Sequence, residues 1–411
     1  MRVTSLLRSV LGMKHTRVRG AQFGPSSLQV DVAPTTRVPR CSGCGCARRR
    51  VYDRRSRTWR HLDFGGMEVT LRYDLRRVDC GQCGKVAEMV PWAEHDSRFT
   101  RDFEDHVAYL AQRTDQTTVS TSMRIAWRTV GSIIERVVAR CRQTDLLDEL
   151  EYIGIDELSY RRHHEYLTVV VDHVQQRVVW ASEGKNVATV GRFFDALGPE
   201  RTAQIKCVTV DMSAAYVGAV TSRAPQAKIV FDRFHVQRLV QDALDEVRRA
   251  EVRALEGSGE RQGLKKTRWA LLKNHWNLSA AEHQRLSEIQ RTNRRLYRAY
   301  LLKTALADIL GRHQVGVVRE KLMEWISWAL RSRLKPFKKA ATTIRKYFEG
   351  VVAIVGTGLN NARTEGLNGK IRTITRRAYG FHNAGSLIGF IMLCCTGLVL
   401  HPVFKSPPLH P

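Results

Sequence analysis

Two apolar runs joined by a short basic turn constrain this chain more than any other feature. Within residues 151–172, Tyr152-Ile153-Gly154-Ile155-Asp156 is β-prone and ends on one carboxylate, and Tyr166-Leu167-Thr168-Val169-Val170-Val171 is apolar almost without a break. A run of that kind is a strand covered on both faces. A carboxylate at the tip of a central strand needs a partner, a metal or water. For a lone Asp the ordinary alternative is the cap of a turn.

The following residues extend the sheet. A third strand starts at Arg177, and the spacing predicts a helix over Val187–Leu197, stopped by Gly198-Pro199. Residues 205–211 form another apolar strand, again ending on an Asp. A helix over Ala214–Arg223 and a fifth strand over 227–232 follow. Three strands joined by short turns, then two separated by helices, predict an antiparallel meander joined to a parallel part. In that sheet Asp156 and Asp211 share one end of adjacent central strands, where two facing carboxylates repel unless a cation lies between them. Glu157 is expected on the face opposite Asp156.

A later helix carries Glu365 near its start, in Asn360-Asn361-Ala362-Arg363-Thr364-Glu365-Gly366-Leu367-Asn368, with Lys370, Arg372, Arg376 and Arg377 after it. Pairing with Arg363 or Lys370 is the plain alternative for that Glu. Residues 237–350 read as an all-helical insertion, with Trp269, Trp276, Trp325 and Trp328 read as core rather than as platforms for bases.

Ahead of the sheet the chain is rich in cysteine and arginine. Cys41-x-x-Cys44 and Cys80-x-x-Cys83 are two knuckles, each placing two thiolates on a tight turn, and together they suit a closed four-cysteine zinc site. Cys46 is a fifth thiol that could replace Cys44. Residues 1–40 read as short strands, and 67–73 as part of a hairpin between the knuckles. From Thr100 the pattern turns helical: a polar break at 114–118, a short helix near 119–126, and a longer amphipathic helix from Trp127. That order suits a helix-turn-helix, with Arg128, Ser132 and Arg136 outward, or a plain three-helix packing unit. Lys and Arg number 67 against 40 acids, a formal charge of +27, so a polyanion is the first partner to consider. With 43% hydrophobic residues the chain is globular. No secretory signal is evident, and the apolar stretch 387–400 is short for a membrane span.

These motifs resemble the ISL-type (ISL3) family of bacterial insertion-sequence transposases along nearly the whole chain. The matching stretches are the two knuckles, Trp127-Arg128-Thr129-Val130, Gly154-Ile155-Asp156-Glu157, Val208-Thr209-Val210-Asp211-Met212, Phe231-Asp232-Arg233-Phe234-His235-Val236, and Asn361-Ala362-Arg363-Thr364-Glu365-Gly366-Leu367-Asn368. The last two are the most specific. The resemblance implies an α/β, ribonuclease H-like catalytic domain over 150–395 with its helical insertion. Before it come a zinc ribbon within 1–92 and a helix-turn-helix over 93–145; residues 396–411 are a C-terminal tail. It implies that Asp156, Asp211 and Glu365 are a catalytic triad holding Mg2+ or Mn2+, and that Cys41, Cys44, Cys80 and Cys83 hold structural Zn2+. Asp232 and His235 are expected to support the site rather than bind metal. Arg128, Ser132, Arg136, Arg363, Asn368, Lys370 and Arg372 are the expected DNA contacts. The implied activity is cleavage at the element's ends and joining of the 3′-OH to target DNA by two-metal-ion phosphoryl transfer. The expected partners are the terminal inverted repeats, target DNA and a second copy of the chain or more, in the bacterial cytoplasm and without a membrane. A catalytically silent DNA-binding regulator and a structure-selective nuclease of the same fold are the competing readings.

Overall fold

The computed structural model describes residues 3–141, 145–161, 165–255, 264, 267–357, 359, 362–378, 380–381 and 383–402. The chain divides into two compact units, Met1–Gln143 with Gly397–Pro411, and Thr144–Thr396.

The first unit opens with helix α1 (Val3–Leu11), where the sequence suggests strands. Its apolar side seats Leu7 in the core of the sheet that follows. That sheet holds β1 (Thr16–Phe23), β2 (Ser27–Pro34), β3 (Val51–Arg60), β4 (Glu68–Cys80) and β5 (Gly84–Ala87), in the order β1-β2-β4-β3 with β5 also on β4. Alternation along β2 and β4 buries Leu28, Val30, Val69 and Leu71 on one face. Trp59 and Trp92 close that core edge to face, centroids 5.6 Å apart. β3 and β4 form the hairpin expected between the knuckles.

Three helices follow: α2 (Arg101–Ala111), α3 (Gln116–Met123) and α4 (Trp127–Cys141). Thr100 caps α2 by accepting the Phe103 N–H. The middle helix starts about one turn earlier than its apolar residues suggest. Asp115 caps it, accepting the Thr118 N–H at 2.9 Å, and Arg124 ends it in the left-handed region at φ 53°. Within this unit the Gln112 amide donates to the carbonyl of Leu398, a residue of the expected C-terminal tail.

The second unit is built on a five-stranded sheet of β6 (Tyr152–Arg161), β7 (Glu165–Asp172), β8 (Arg177–Glu183), β9 (Cys207–Val210) and β10 (Lys228–Phe231), ordered β10-β9-β6-β7-β8. β6, β7 and β8 are antiparallel neighbours, while β6, β9 and β10 run parallel, as expected. α5 (Val187–Leu197), the short α6 (Pro199–Thr202) and α7 (Ala214–Arg223) make the connections. β6 does not end at Asp156. Its pairing with β7 continues through Leu158 and Ser159, whereas its pairing with β9 stops at Gly154. Asp156 therefore lies where the parallel neighbour has run out.

The helical region is α8 (Arg233–Ala254), α9 (Arg268–Leu272), α10 (Ala280–Thr292), α11 (Arg294–Leu310), α12 (Val315–Arg331), α13 (Lys335–Lys346) and α14 (Phe348–Gly356). Trp325 is core, 2% exposed, and donates to the Leu302 carbonyl. Trp269, Trp276 and Trp328 are not core, at 68%, 56% and 37% exposed. Trp269 lies on the five-residue α9, whose Ala270 and Leu271 take the buried side, and Trp276 lies on the single turn His275–Asn277, which buries no residue. The unit closes with α15 (Ala362–Arg377) and the apolar α16 (Ala384–Cys395). Among the described residues no helix is long and apolar enough to cross a membrane.

Candidate active site and metal centre

Strand register assembles the carboxylates. Gly154 of β6 pairs with Thr209 of β9, so Asp156 and Asp211 each lie two residues further on. Phe231 of β10 pairs with Val210, and the Asp232 N–H donates to the Val210 carbonyl at 3.1 Å. Asp156, Asp211 and Asp232 thus follow one another across one end of three adjacent strands. A side chain at Gly154 would begin 2.8 Å from Thr209 Oγ1 and 2.9 Å from His173 Nε2. Those two atoms are themselves bonded at 2.7 Å, so only glycine lets β6 lie this close.

Each carboxylate has defined neighbours. Asp156 Oδ1 accepts the Glu157 N–H at 2.7 Å, and Oδ2 accepts from Asn368 Nδ2 at 2.5 Å. Burial pushes the Asp156 carboxyl up. The bonds from Glu157 and Asn368, and then the nearby His235, oppose that rise, while Asp232 adds to it. Asp211 Oδ1 accepts the Ser213 N–H at 2.9 Å. Glu157 is also raised, first by burial and next by the charge of Asp211, with a Tyr216 hydrogen bond and Lys185 opposing. Asp211 thus has Glu157 beside it, a neighbour that sequence reasoning assigns to the opposite face and leaves out of the site. The available signal is an acidic residue amid apolar strand neighbours.

The supporting residues divide. Asp232 caps α8, accepting the Phe234 N–H at 2.7 Å, and His235 Nε2 lies 3.7 Å from its carboxylate. Asn368 is not exposed for DNA contact. It is 8% exposed, bonded to Asp156, and its Oδ1 is buried without a hydrogen-bond partner. Lys370 donates to the Cys394 carbonyl, and Arg372 is exposed. Glu365 and Arg363 belong to α15, and their side chains lie outside the described residues. Glu365 precedes Asn368 by three residues, about one helical turn.

The cysteine centre is closed. Sγ atoms of Cys41, Cys44, Cys80 and Cys83 all lie within 4.8 Å of one another, the cluster among the described residues whose ligand atoms converge. Cys44 and Cys80 are 3.6 Å apart. A tetrahedron with Zn–S of about 2.3 Å has sulfurs about 3.8 Å apart, so this donor set fits zinc. Backbone N–H groups of Cys83 and Gln82 hold the Cys80 thiol down, to about 6, and the Cys41 thiol pushes Cys83 up to about 12. A cation among the four relieves that crowding. A side chain at Gly43 would begin 2.8 Å from the Cys83 sulfur, which makes glycine necessary in the first knuckle. Cys46 is exposed and outside the cluster, so it does not replace Cys44.

On the last helix of the three, Arg128 and Ser132 are exposed. Arg136 does not face outward as a free cation. It pairs at 2.7 Å with Glu104, whose side chain is fully buried and also accepts from Ser97 and Arg140. Burying that carboxylate demands such partners.

A sheet ending in carboxylates, a four-cysteine centre whose donors fit zinc and a three-helix unit are the parts that set the class of protein. Family comparison narrows this. A transposase model matches residues 153–391, the helix-turn-helix domain of transposase family ISL3 matches 88–138, and the zinc-finger of transposase IS204/IS1001/IS1096/IS1165 matches 37–83. The transposase for insertion sequence element IS1557 of Mycobacterium tuberculosis is 40% identical over 97% of this chain and 96% of its own length. That for IS1001 of Bordetella parapertussis is 30% identical, over 89% and 91%. The chain belongs to the ISL3 family of transposases.

Proposed function

We propose that this protein cleaves DNA at the ends of its insertion sequence and joins the exposed 3′-OH to target DNA, on a ribonuclease H-like sheet. The observation that carries the reading is the register bringing Asp156 and Asp211 to one end of β6 and β9, with α15 bonded to Asp156 one turn after Glu365. An antiparallel meander of three strands followed by two parallel ones supports the ribonuclease H-like assignment.

In this reading Asp156, Asp211 and Glu365 hold divalent ions, and oxygen donors of this kind suit Mg2+ or Mn2+. Burial that raises Asp156, and the charge of Asp211 that raises Glu157, mark a place where added positive charge is favoured. The chemistry such ions supply is activation of the attacking oxygen and stabilisation of the leaving one. Asn368 fixes the orientation of Asp156, and Asp232 with His235 sets the field beside it. Hydrolysis at the element end comes first, and in-line attack by the freed 3′-OH second, with no covalent link to protein. The four-cysteine zinc centre and the helix-turn-helix recognise the terminal inverted repeats. Joining two ends calls for at least two copies of the chain on DNA.

Incubation with Mg2+ and a labelled duplex spanning an element end, beside Asp211→Asn, tests this. The expected result is cleavage at the tip and strand transfer, both absent in the variant, with end binding kept. Cleavage without joining on paired ends would instead make this a structure-selective nuclease.

A further inference from the structure

The helical region carries an open groove of about 300 Å3 that the cleavage reaction does not use. It is lined by Arg233 and Gln237 of α8, Asn274 and Trp276 of the segment after α9, and Ala307, Asp308, Gly311 and Arg312 around the end of α11. Three observations give it a purpose. Trp276 is 56% exposed, which costs hydrophobic stabilisation unless something covers the ring. Arg233 and Arg312 are both exposed, and the Arg233 guanidinium reaches Gly311, 3.6 Å from where a side chain there would begin. The indole segment is also held in place. Lys303, 3% exposed, donates its ammonium to the Leu272 and Lys273 carbonyls and to Asn274 Oδ1, so the turn bearing Trp276 is pinned to α11.

The location ties the groove to the carboxylate edge. Arg233 follows Asp232 directly, and Gln237 lies one turn further along α8. The four helical steps from Arg233 to Gln237 rise about 6 Å, a little under two base steps of about 3.4 Å along a strand. An exposed ring flanked by cations takes a flat aromatic group on an anionic chain, which is a nucleotide whose base is out of the stack.

We propose that Trp276, with Arg233 and Arg312, is a binding site for an unpaired nucleotide of the DNA strand beside the cleavage point. Trp276 stacks on the base, and the two arginines meet the flanking phosphates. Asp308 on the rim disfavours a further phosphate at its own corner of the groove. This rests on the transposase reading for its partner, but not on the carboxylates' role.

The test is fluorescence anisotropy with the full-length chain, without Mg2+, using labelled oligothymidylate and a fully paired duplex of equal length. Trp276→Ala is expected to weaken oligothymidylate binding by about 5- to 150-fold, the range for loss of one base–aromatic stack. Duplex affinity should stay unchanged, and Trp276→Phe should keep most of the single-strand affinity. Trp269→Ala is the control, since that exposed indole does not line the groove. Unchanged oligothymidylate binding in Trp276→Ala, or an equal loss on duplex, would overturn the proposal. So would an equal loss in Trp269→Ala. Asp211→Asn should bind oligothymidylate normally, so a failure of the carboxylate assignment is read separately.

Discussion

At the scale of single residues, the site depends on hydrogen bonds that hold charge in dry places. Asn368 is the clearest case. Its amide meets Asp156 across 212 residues of sequence, and only the fold could reveal that partner. Read from sequence, Asn368 is one polar residue among basic ones on an outward-looking helix, hence its expected role on DNA. Groups that orient a metal-binding carboxylate typically account for about 10- to 100-fold in affinity or activity. Asn368→Ala is therefore expected to lower cleavage by about that factor and raise the Mg2+ requirement, with end binding kept; measuring cleavage against Mg2+ concentration checks this. His61 offers a second test. It is 5% exposed, bonded to Thr100 Oγ1 at 2.8 Å, and burial holds its pKa down at about 4. The unfolded chain binds that proton near the usual value of about 6.5, so between these values the unfolded state holds more protons. Stability is complete above about 6.5 and falls as the pH drops toward about 4. By about pH 5 the loss is about 2 kcal/mol, and urea unfolding of the full chain should show it reduced in His61→Gln.

At the scale of elements, periodicity tells most where an element is long and its ends are chemically marked. α5 and α7 have the bounds the sequence indicates, since Gly198-Pro199 stops one and apolar strands flank the other. α3 begins ahead of its expected start because Asp115, a polar residue that reads as loop, is its cap. The knuckles are legible because paired thiols at fixed spacing have few other uses, but the sequence leaves Cys46 open. The structure yields a sharp expectation there. Zinc content measured on the purified chain should be about one per molecule, lost in Cys83→Ser and kept in Cys46→Ser. Removing zinc with a chelator should lower the melting temperature of native protein and Cys46→Ser alike, because closing this cluster is part of folding. Equal zinc loss in both variants would sink the four-ligand assignment.

At the scale of the whole molecule, the excess of 27 positive charges is the property most visible in the sequence and least informative about place. Part of the 67 lysines and arginines behind it is used internally: Arg72 pairs with Asp31, Arg76 with Glu88, and Arg136 and Arg140 with Glu104. Those arginines support carboxylates and have little left for a phosphate. Composition cannot make that distinction, because paired and free arginines are the same letter. Nor could it separate Trp325 from Trp276, identical in sequence terms and opposite in exposure. The cations left at the surface include Arg128 and Arg372. Binding through such groups releases counterions, so affinity for element-end DNA should fall by about 10^3 to 10^5 between about 50 and 200 mM salt if six to ten phosphates are met. Arg128→Ala and Arg372→Ala should each flatten the logarithmic salt slope by about 1. Arg136→Ala should leave the slope alone and lower stability instead, since it strips a partner from the buried Glu104. Titrations of the three variants across salt separate these roles: a slope change in Arg136→Ala equal to that in Arg128→Ala would mean that its pairing with Glu104 gives way on DNA.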